Sequence, residues 1–345
     1  MNNNKNFIFL SNATGGVATF QSNLINYLSK QGIKTILIDK KKNNQTQNKI
    51  RIKKNHKLYI TNVLRNFNYT FEILKKINKN NIDKNQNIFV ISNSIIFTIY
   101  FFYIKFYFRN SKILLIYHSH LYDLNFTQIF FGFTSSFLSV FNYKTIFVSN
   151  FTKIWWFKYF PLTRLSNFFI FHNLVQLSKK NNYQNVKKLN VGFVGRLDKE
   201  KGIEKFLNIA KNIKDKKINF FVYGEGSVEI NKKYYKKIKF YKWSNTKTIF
   251  SKINLLLVTS KIENSPFSVL EAKSRGIPTV SISDGGIKEI IKHNYDGILL
   301  KQYSKLILIK KSFIKILNKY KFFSKNCIIN SKKYDSKYYN FFLNN

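Results

Sequence analysis

The sequence predicts an α/β chain built as two doubly wound domains, each a parallel sheet wrapped by helices, facing each other across a cleft. Three observations carry that expectation. A length of 345 residues exceeds what one ordinary core fills and is enough for two. Short apolar runs of the kind buried on both faces of a parallel sheet alternate with segments of helical period. The alternation occurs twice, on either side of a polar stretch.

In the first series Phe7–Ser11 is a continuous apolar strand, Gly15 and Gly16 follow, and Val17, Phe20, Leu24 and Leu28 recur at helical spacing until Gly32 stops the helix. Thr35–Asp39 reads as the next strand, and the polar Lys- and Asn-rich stretch 40–54 as a loop. Further strands are expected at Asn87–Ser92, Lys112–Tyr117 and Thr145–Ser149. The second series runs as strand Asn190–Gly195, helix from Gly202, strands Ile218–Tyr223 and Ile253–Ser260, helix from Pro266 and strand Thr279–Ser283. The stretch QLSKKNNYQNVKK between them has no periodicity. The expected organisation is therefore a first domain over 1–175, a linker over 176–188, a second domain over 189–302, and a helical segment over 303–345 returning toward the first domain.

Lys and Arg number 59 against 16 Asp and Glu, a formal charge of +43, which invites a nucleic-acid partner. The composition argues against one. Arginine, the residue suited to bidentate phosphate and guanine contacts, occurs only at 51, 65, 109, 164, 196 and 275. Abundant Lys, Asn, Ile, Phe and Tyr together are what AT-rich coding produces. The second reading of the charge is attraction to an anionic membrane surface. Segment 97–108, FTIYFFYIKFYF, lacks the clean run of about 20 apolar residues that a span needs and reads as buried strand and helix. With 126–141 and FTKIWWFKYF at 151–160 it still gives the first domain aromatic, basic helices suited to a membrane interface. The single cysteine, Cys327, excludes an internal disulfide, fits a reducing cytoplasmic compartment and reads as a packed residue. The N-terminal MNNNKNFIFLSNATGG reads as a first strand rather than a secretory signal.

The chemistry is carried by the second series. Glu263 sits in a loop at the carboxyl end of a parallel strand, where open sheets bind ligands, and Glu271 lies just over one turn into the following helix. Between them the free N–H groups of Phe267, Ser268 and Val269, after Pro266, open a helix and attract an anion. An anion site flanked by two carboxylates makes sense for a ligand carrying both phosphates and neutral hydroxyls, because an ionised carboxylate accepts hydrogen bonds from neighbouring hydroxyls. A nucleoside diphosphate attached to a sugar has that mixture. Arg196 and Lys201, in GRLDKEKG at another strand end, are two cations suited to a diphosphate leaving group. Gly224 and Glu225, in YGEG, mark a third strand end, and Gly285–Gly286 with Glu289 a fourth.

The segments GRLDKEKG, YGEG, ENSPFSVLEA, GIPTVSISDGGIKEII and NYDGILL resemble, in order and spacing, the carboxyl-terminal domain of family-4 retaining glycosyltransferases of the GT-B fold, in which two Rossmann-like domains face each other. The amino-terminal half is similar through Gly15–Gly16, IYHSH at 116–120 and FVSNFTK at 147–153. The resemblance implies that Glu271 holds the ribose hydroxyls, that Glu263 lies near the hydroxyls of the transferred sugar, and that Arg196 and Lys201 hold the diphosphate. Phe267, Ser268 and Val269 would offer backbone donors, His118 would lie at the sugar, and Gly16 would face the diphosphate. It also implies retention of anomeric configuration, with the accepting hydroxyl attacking on the face the diphosphate leaves, and no cofactor or metal. The acceptor would be a carbohydrate or a lipid-linked hydroxyl, as in synthesis of surface polysaccharide, lipopolysaccharide or glycolipid at the inner membrane face. His172–Asn173–Leu174 departs from the family's usual pattern after the first domain, and Lys273 and Arg275 are expected to face solvent.

Rival readings have weaker support. His118 and His120 lack a neighbouring Cys, Asp or Glu at ligand spacing, and no Asp-x-Asp pair occurs to hold a metal. Gly15–Gly16 with Asp39 lacks the G-x-G-x-x-G spacing of a dinucleotide site. A nucleotide-sugar epimerase or hydrolase of the same fold, a non-catalytic membrane-surface relative, and a nucleic-acid binder are the alternatives.

Overall fold

The computed structural model describes residues 5–11, 15–39, 56–60, 67–80, 86–121, 125–178, 185–231 and 235–344. The expected loop over 40–54 and the middle of the expected linker lie outside the described residues. The chain divides into two units, residues 1–172 with 339–345, and residues 173–338.

The first unit contains β1 (Lys5–Ser11), α1 (Gly15–Lys30), β2 (Lys34–Asp39), β3 (His56–Ile60), α2 (Phe67–Asn80), β4 (Gln86–Ile91) and α3 (Ser94–Tyr107). It continues with β5 (Lys112–Tyr117), α4 (Phe126–Ser139), β6 (Lys144–Phe147), α5 (Asn150–Tyr159) and β7 (Phe168–Ile170). The seven strands form one parallel sheet in the order β3-β2-β1-β4-β5-β6-β7. Its centre is apolar on both faces: Phe7, Ile8, Phe9 and Leu10 of β1 are all inaccessible, as are Phe89, Val90 and Ile91 of β4. Such runs cannot sit at a solvent-facing sheet, which is why they choose a doubly covered one. The stretch read as buried strand and helix is β4 followed by α3, started by Asn93, whose side chain accepts from the N–H of Ile95 and Ile96. Strand order reverses between β1 and β4, so the carboxyl edge there opens beside the start of α1.

The second unit contains β8 (Leu189–Val194), α6 (Ile203–Asn212), β9 (Ile218–Tyr223), β10 (Ile238–Tyr241), α7 (Thr246–Lys252), β11 (Leu255–Val258) and β12 (Ile262–Glu263). It continues with α8 (Phe267–Lys273), β13 (Thr279–Ser281), β14 (Asp284–Gly285), α9 (Ile287–Ile290), β15 (Gly297–Leu299), α10 (Leu306–Asn318) and α11 (Tyr320–Ser331). Six strands form a parallel sheet in the order β10-β9-β8-β11-β13-β15, and the two-residue β12 and β14 pair separately. Order reverses between β8 and β11. The stripe Ile203, Phe206, Leu207 and Ala210 is buried against the sheet, as its helical spacing requires. A last short helix, α12 (Phe341–Asn344), belongs to the first unit.

Candidate nucleotide-sugar site

The carboxyl ends of β8 and β11, the point where strand order reverses, place Arg196–Lys201 and Glu263 in the second unit. The loop after β8 is held in shape by its own backbone. Leu197 N–H donates to the Glu225 carbonyl at 3.1 Å and Val228 N–H to the Leu197 carbonyl at 3.0 Å. Gly224 makes this possible, because a Cβ there would lie 1.9 Å from the Gly195 carbonyl oxygen. The YGEG signal is thus a close approach between two strand ends. Lys201 N–H donates to Asp198 Oδ1 at 2.7 Å, and the Thr259 hydroxyl donates to the carbonyls of Lys201 and Gly202, tying this loop to the end of β11.

Both cations predicted for the diphosphate are ion-paired. Lys201 Nζ lies 2.7 Å from Glu263 Oε1, and the same oxygen accepts from the Ser260 hydroxyl at 2.6 Å. Glu263 is 8% exposed, so this carboxylate is held by a cation and a hydroxyl inside the loop. The sequence suggested one station for cations and one for carboxylates, whereas the structure joins Lys201 and Glu263. The Arg196 guanidinium is more exposed, 3.2 Å from Asp198 Oδ2 and 3.5 Å from Glu200 Oε2. Arg196, Asp198 and Glu200, with Lys199, Glu204, Ser227 and Val228, line an open depression of about 540 Å³.

The Glu263 loop is fixed from its other side by β14. Ile262 pairs with Asp284 and Glu263 with Gly285. Gly285 has φ +95°, and a Cβ there would meet the Glu263 carbonyl oxygen at 2.6 Å. The Gly285–Gly286 signal therefore reports a clamp on Glu263. Ser260 and Thr259 were not singled out from sequence; a hydroxyl three residues before a loop carboxylate was the available signal.

Helix α8 begins at Phe267 with Pro266 as its N-cap residue and no side-chain cap, one residue later than the start expected at Pro266. Ser265, just before it, is tied to Asn173, whose side-chain amide donates to the Ser265 carbonyl at 2.6 Å. The first helical bond runs from Leu270 N–H to the Pro266 carbonyl, leaving the N–H groups of Phe267, Ser268 and Val269 outside the ladder. The side chains of Phe267 and Val269 are buried, so only their backbone is available to a ligand. Glu271 is partly buried, and its carboxylate accepts no hydrogen bond among the described residues. Burial pushes its pKa up to about 7, against the opposing pull of the Arg275 guanidinium.

Lys273 and Arg275 do not face solvent as expected. Lys273 is 2% exposed and pairs with Asp296 Oδ2 at 2.8 Å, while Asp296 also accepts from Lys292 N–H at 2.9 Å and from the Asn330 amide. Arg275 packs over the Phe250 ring and donates to Thr246. The Lys273 ammonium is tolerated inside because the Asp296 carboxylate and the Ile290 carbonyl take its hydrogen bonds. Cys327 is packed as expected, its thiol donating to the Asp296 carbonyl at 3.0 Å.

In the first unit His118 follows β5 and packs edge-on against Phe20 of α1, with ring centroids 4.8 Å apart. Its Nε2 is buried without a hydrogen-bond partner among the described residues, and burial lowers its pKa to about 3, so the ring is neutral at physiological pH. Gly15 and Gly16 are exposed at the start of α1, one turn before Phe20. His120 is buried against Phe151 and Trp155. Among the described residues no three His, Cys, Asp or Glu gather to hold a metal ion, and no helix is long and apolar enough to cross a membrane.

Comparison with known proteins bears on this geometry. Residues 176–334 match the family model described as Glycosyl transferases group 1, the resemblance read from the sequence. A 118-residue stretch, 33% of the chain and 33% of the relative, is 29% identical to an uncharacterized 41.2 kDa protein in the cps region of Klebsiella pneumoniae. That alignment thus spans about a third of the curated relative. Two solved structures share the fold across nearly the whole chain. Anabaena HepE, solved with UDP, is 13% identical with a TM-score of 0.75, covering 98% of this chain and 97% of that one. Sucrose-phosphate synthase from Thermosynechococcus elongatus is 12% identical with a TM-score of 0.77, covering 99% and 97%.

Proposed function

We propose, from the premise that residues 176–334 match the group-1 glycosyl transferases and that the chain has their two-unit α/β fold, that it moves a sugar from a nucleotide-sugar donor to a hydroxyl acceptor. The observation that carries the proposal is Glu271: a partly buried carboxylate that accepts no hydrogen bond among the described residues, behind three helix-start N–H groups outside the helical ladder and on the same unit as a Lys201–Glu263 pair. A carboxylate so placed lacks what a ribose diol supplies, two donors at neighbouring positions. The backbone N–H groups of Phe267, Ser268 and Val269, with Arg196 and Lys201, take the sugar phosphates, and the charge that develops on the departing diphosphate is what they stabilise. Glu263 orients Lys201 in the free protein and accepts from sugar hydroxyls once phosphate draws the ammonium away. His118, neutral, donates or accepts at the sugar without adding charge, and Gly16 leaves room for the diphosphate.

On this reading the reaction retains anomeric configuration, the acceptor hydroxyl arriving on the side the diphosphate leaves, and it needs neither metal nor cofactor. HepE bound UDP and, in other crystals, UDP-glucose, so a uridine diphosphate sugar is the first donor to try. The setting of the curated relative in a cps region favours a polysaccharide acceptor. Isothermal titration of purified protein and of Glu271→Ala with a panel of nucleotide sugars tests the donor site. A donor that binds the parent and loses at least tenfold in the variant supports it, and equal affinity refutes it. NMR of the product anomer, with and without a chelator, decides retention and metal independence.

A further inference from the structure

The first unit carries an inverted helix. Along α4 the buried side is small and hydroxylic, with Ser135, Ser136 and Ser139 inaccessible and hydrogen-bonded to the carbonyls of Gly132, Phe160 and Ser136. The exposed side is phenylalanine: Phe126 (84%), Phe130, Phe133 and Phe137 at spacings that form a single stripe. A helix serving only a core does the opposite. Beside it lies α3, joined through Thr98 and Thr134, whose hydroxyls are 3.3 Å apart, and it exposes Phe102 and Phe106, each 68%. The 3-10 turn Pro161–Leu165 that packs on α4 adds exposed Leu162 and Leu165. Isolated apolar side chains on a surface need no explanation, but a continuous aromatic face does.

Charge selects what covers it. From residue 94 to 175 the sequence has seven Lys and Arg and one acid, Asp123. Lys105 and Arg109 flank the α3 aromatics, and Lys158 and Arg164 lie exposed beside the rest. A second copy docking face to face would set these cations against themselves. An anionic bilayer meets both features, its headgroups taking the ammonium and guanidinium groups and its acyl boundary taking the rings. No described helix is long and apolar enough to cross a membrane.

We propose that the α3–α4 face of the first unit, with its neighbouring 3-10 turn, is a docking surface for anionic lipid membranes. It stands apart from the chemistry proposed for the second unit, and the test uses neither donor nor acceptor. The full chain is floated with vesicles of phosphatidylcholine alone and of phosphatidylcholine mixed with phosphatidylglycerol. It is expected to bind the mixed vesicles and leave the neutral ones. Phe126→Ser/Phe130→Ser/Phe137→Ser should lose at least tenfold in affinity, roughly the loss of one well-inserted aromatic. Lys105→Glu/Lys158→Glu/Arg164→Glu should lose roughly a hundredfold, at about a factor of five per cation near an anionic surface. A retained thermal transition shows that each variant is folded. Equal binding to both vesicle types, binding unchanged in either variant, or no vesicle binding overturns the proposal. A concentration-dependent dimer dissolved by the Phe variant, without vesicle binding, assigns the face to self-association instead.

Discussion

At Glu271 the environment opposes the ordinary ionisation of a carboxyl group. Raised to about 7, its carboxyl is protonated more readily in the folded chain than in the unfolded one. The stability this gives is complete below the unfolded pKa and disappears as pH rises through 7. Glu271→Gln is therefore expected to raise stability over the parent by about 1–3 kcal/mol at about pH 8 and to change little at about pH 4, read by urea unfolding at both pH values. Donor affinity should move the other way, strengthening in the parent from about pH 6 to about pH 8 as the carboxylate ionises, and staying flat in the Gln variant. If both proteins give the same pH profile, Glu271 is not the group that meets the donor. His118 shifts downward, so its penalty appears as pH falls below 6.5, but it is the same in the parent and in the Gln variant and cancels in the difference between them. The Lys201–Glu263 pair gives a second test. Lys201→Ala leaves a buried carboxylate with the Ser260 hydroxyl alone and should cost about 1–3 kcal/mol, while Lys201→Ala/Glu263→Gln should recover much of it. Additive losses in that cycle would show that the two side chains are not coupled.

At the scale of elements, the site is assembled by short pieces that hold one another. The two-residue strands β12 and β14 are too brief to be stable alone, and their contribution is to place Glu263. Gly285→Ala forces a side chain into a left-handed backbone and against the Glu263 carbonyl, so a loss of about 1–3 kcal/mol and weaker donor binding are expected. Unchanged melting and unchanged affinity would mean that β14 does not set the loop. Helix α8 is anchored from behind by Lys273–Asp296, which reaches α11 through Asn330. Lys273→Met strands a buried acid and should cost about 3–5 kcal/mol, more than Lys273→Met/Asp296→Asn, in which no net charge is left inside. Chemical denaturation of the two variants measures the difference.

At the scale of the molecule, the chain leaves the first unit at residue 172 and its last residues, 339–345, count with that unit again. There Tyr339 and Phe342 are buried and both touch Phe20, the ring that supports His118. Ending the chain at Tyr338 should expose Phe20 and Phe171 and lower the first unit's stability by about 2–5 kcal/mol. Calorimetry should then show an early transition absent from the intact protein, and a single unchanged transition would contradict this. The sequence by itself determined the strand-and-helix alternation, the two sheets, the strand ends that carry Arg196, Lys201 and Glu263, and the helix that carries Glu271. Buried parallel strands and helical stripes write their period into neighbouring residues, and glycines mark the turns that demand them. It missed β3, β7, β10, β12, β14 and β15, short strands whose place depends on partners far along the chain. Only the tertiary structure decided that Lys201 and Glu263 are one pair, that Lys273 is buried, that no described residue hydrogen-bonds the Glu271 carboxylate, and that α4 exposes its phenylalanines. Pairing, desolvation and the direction of a helix face depend on which distant segment packs alongside, and no local pattern records that.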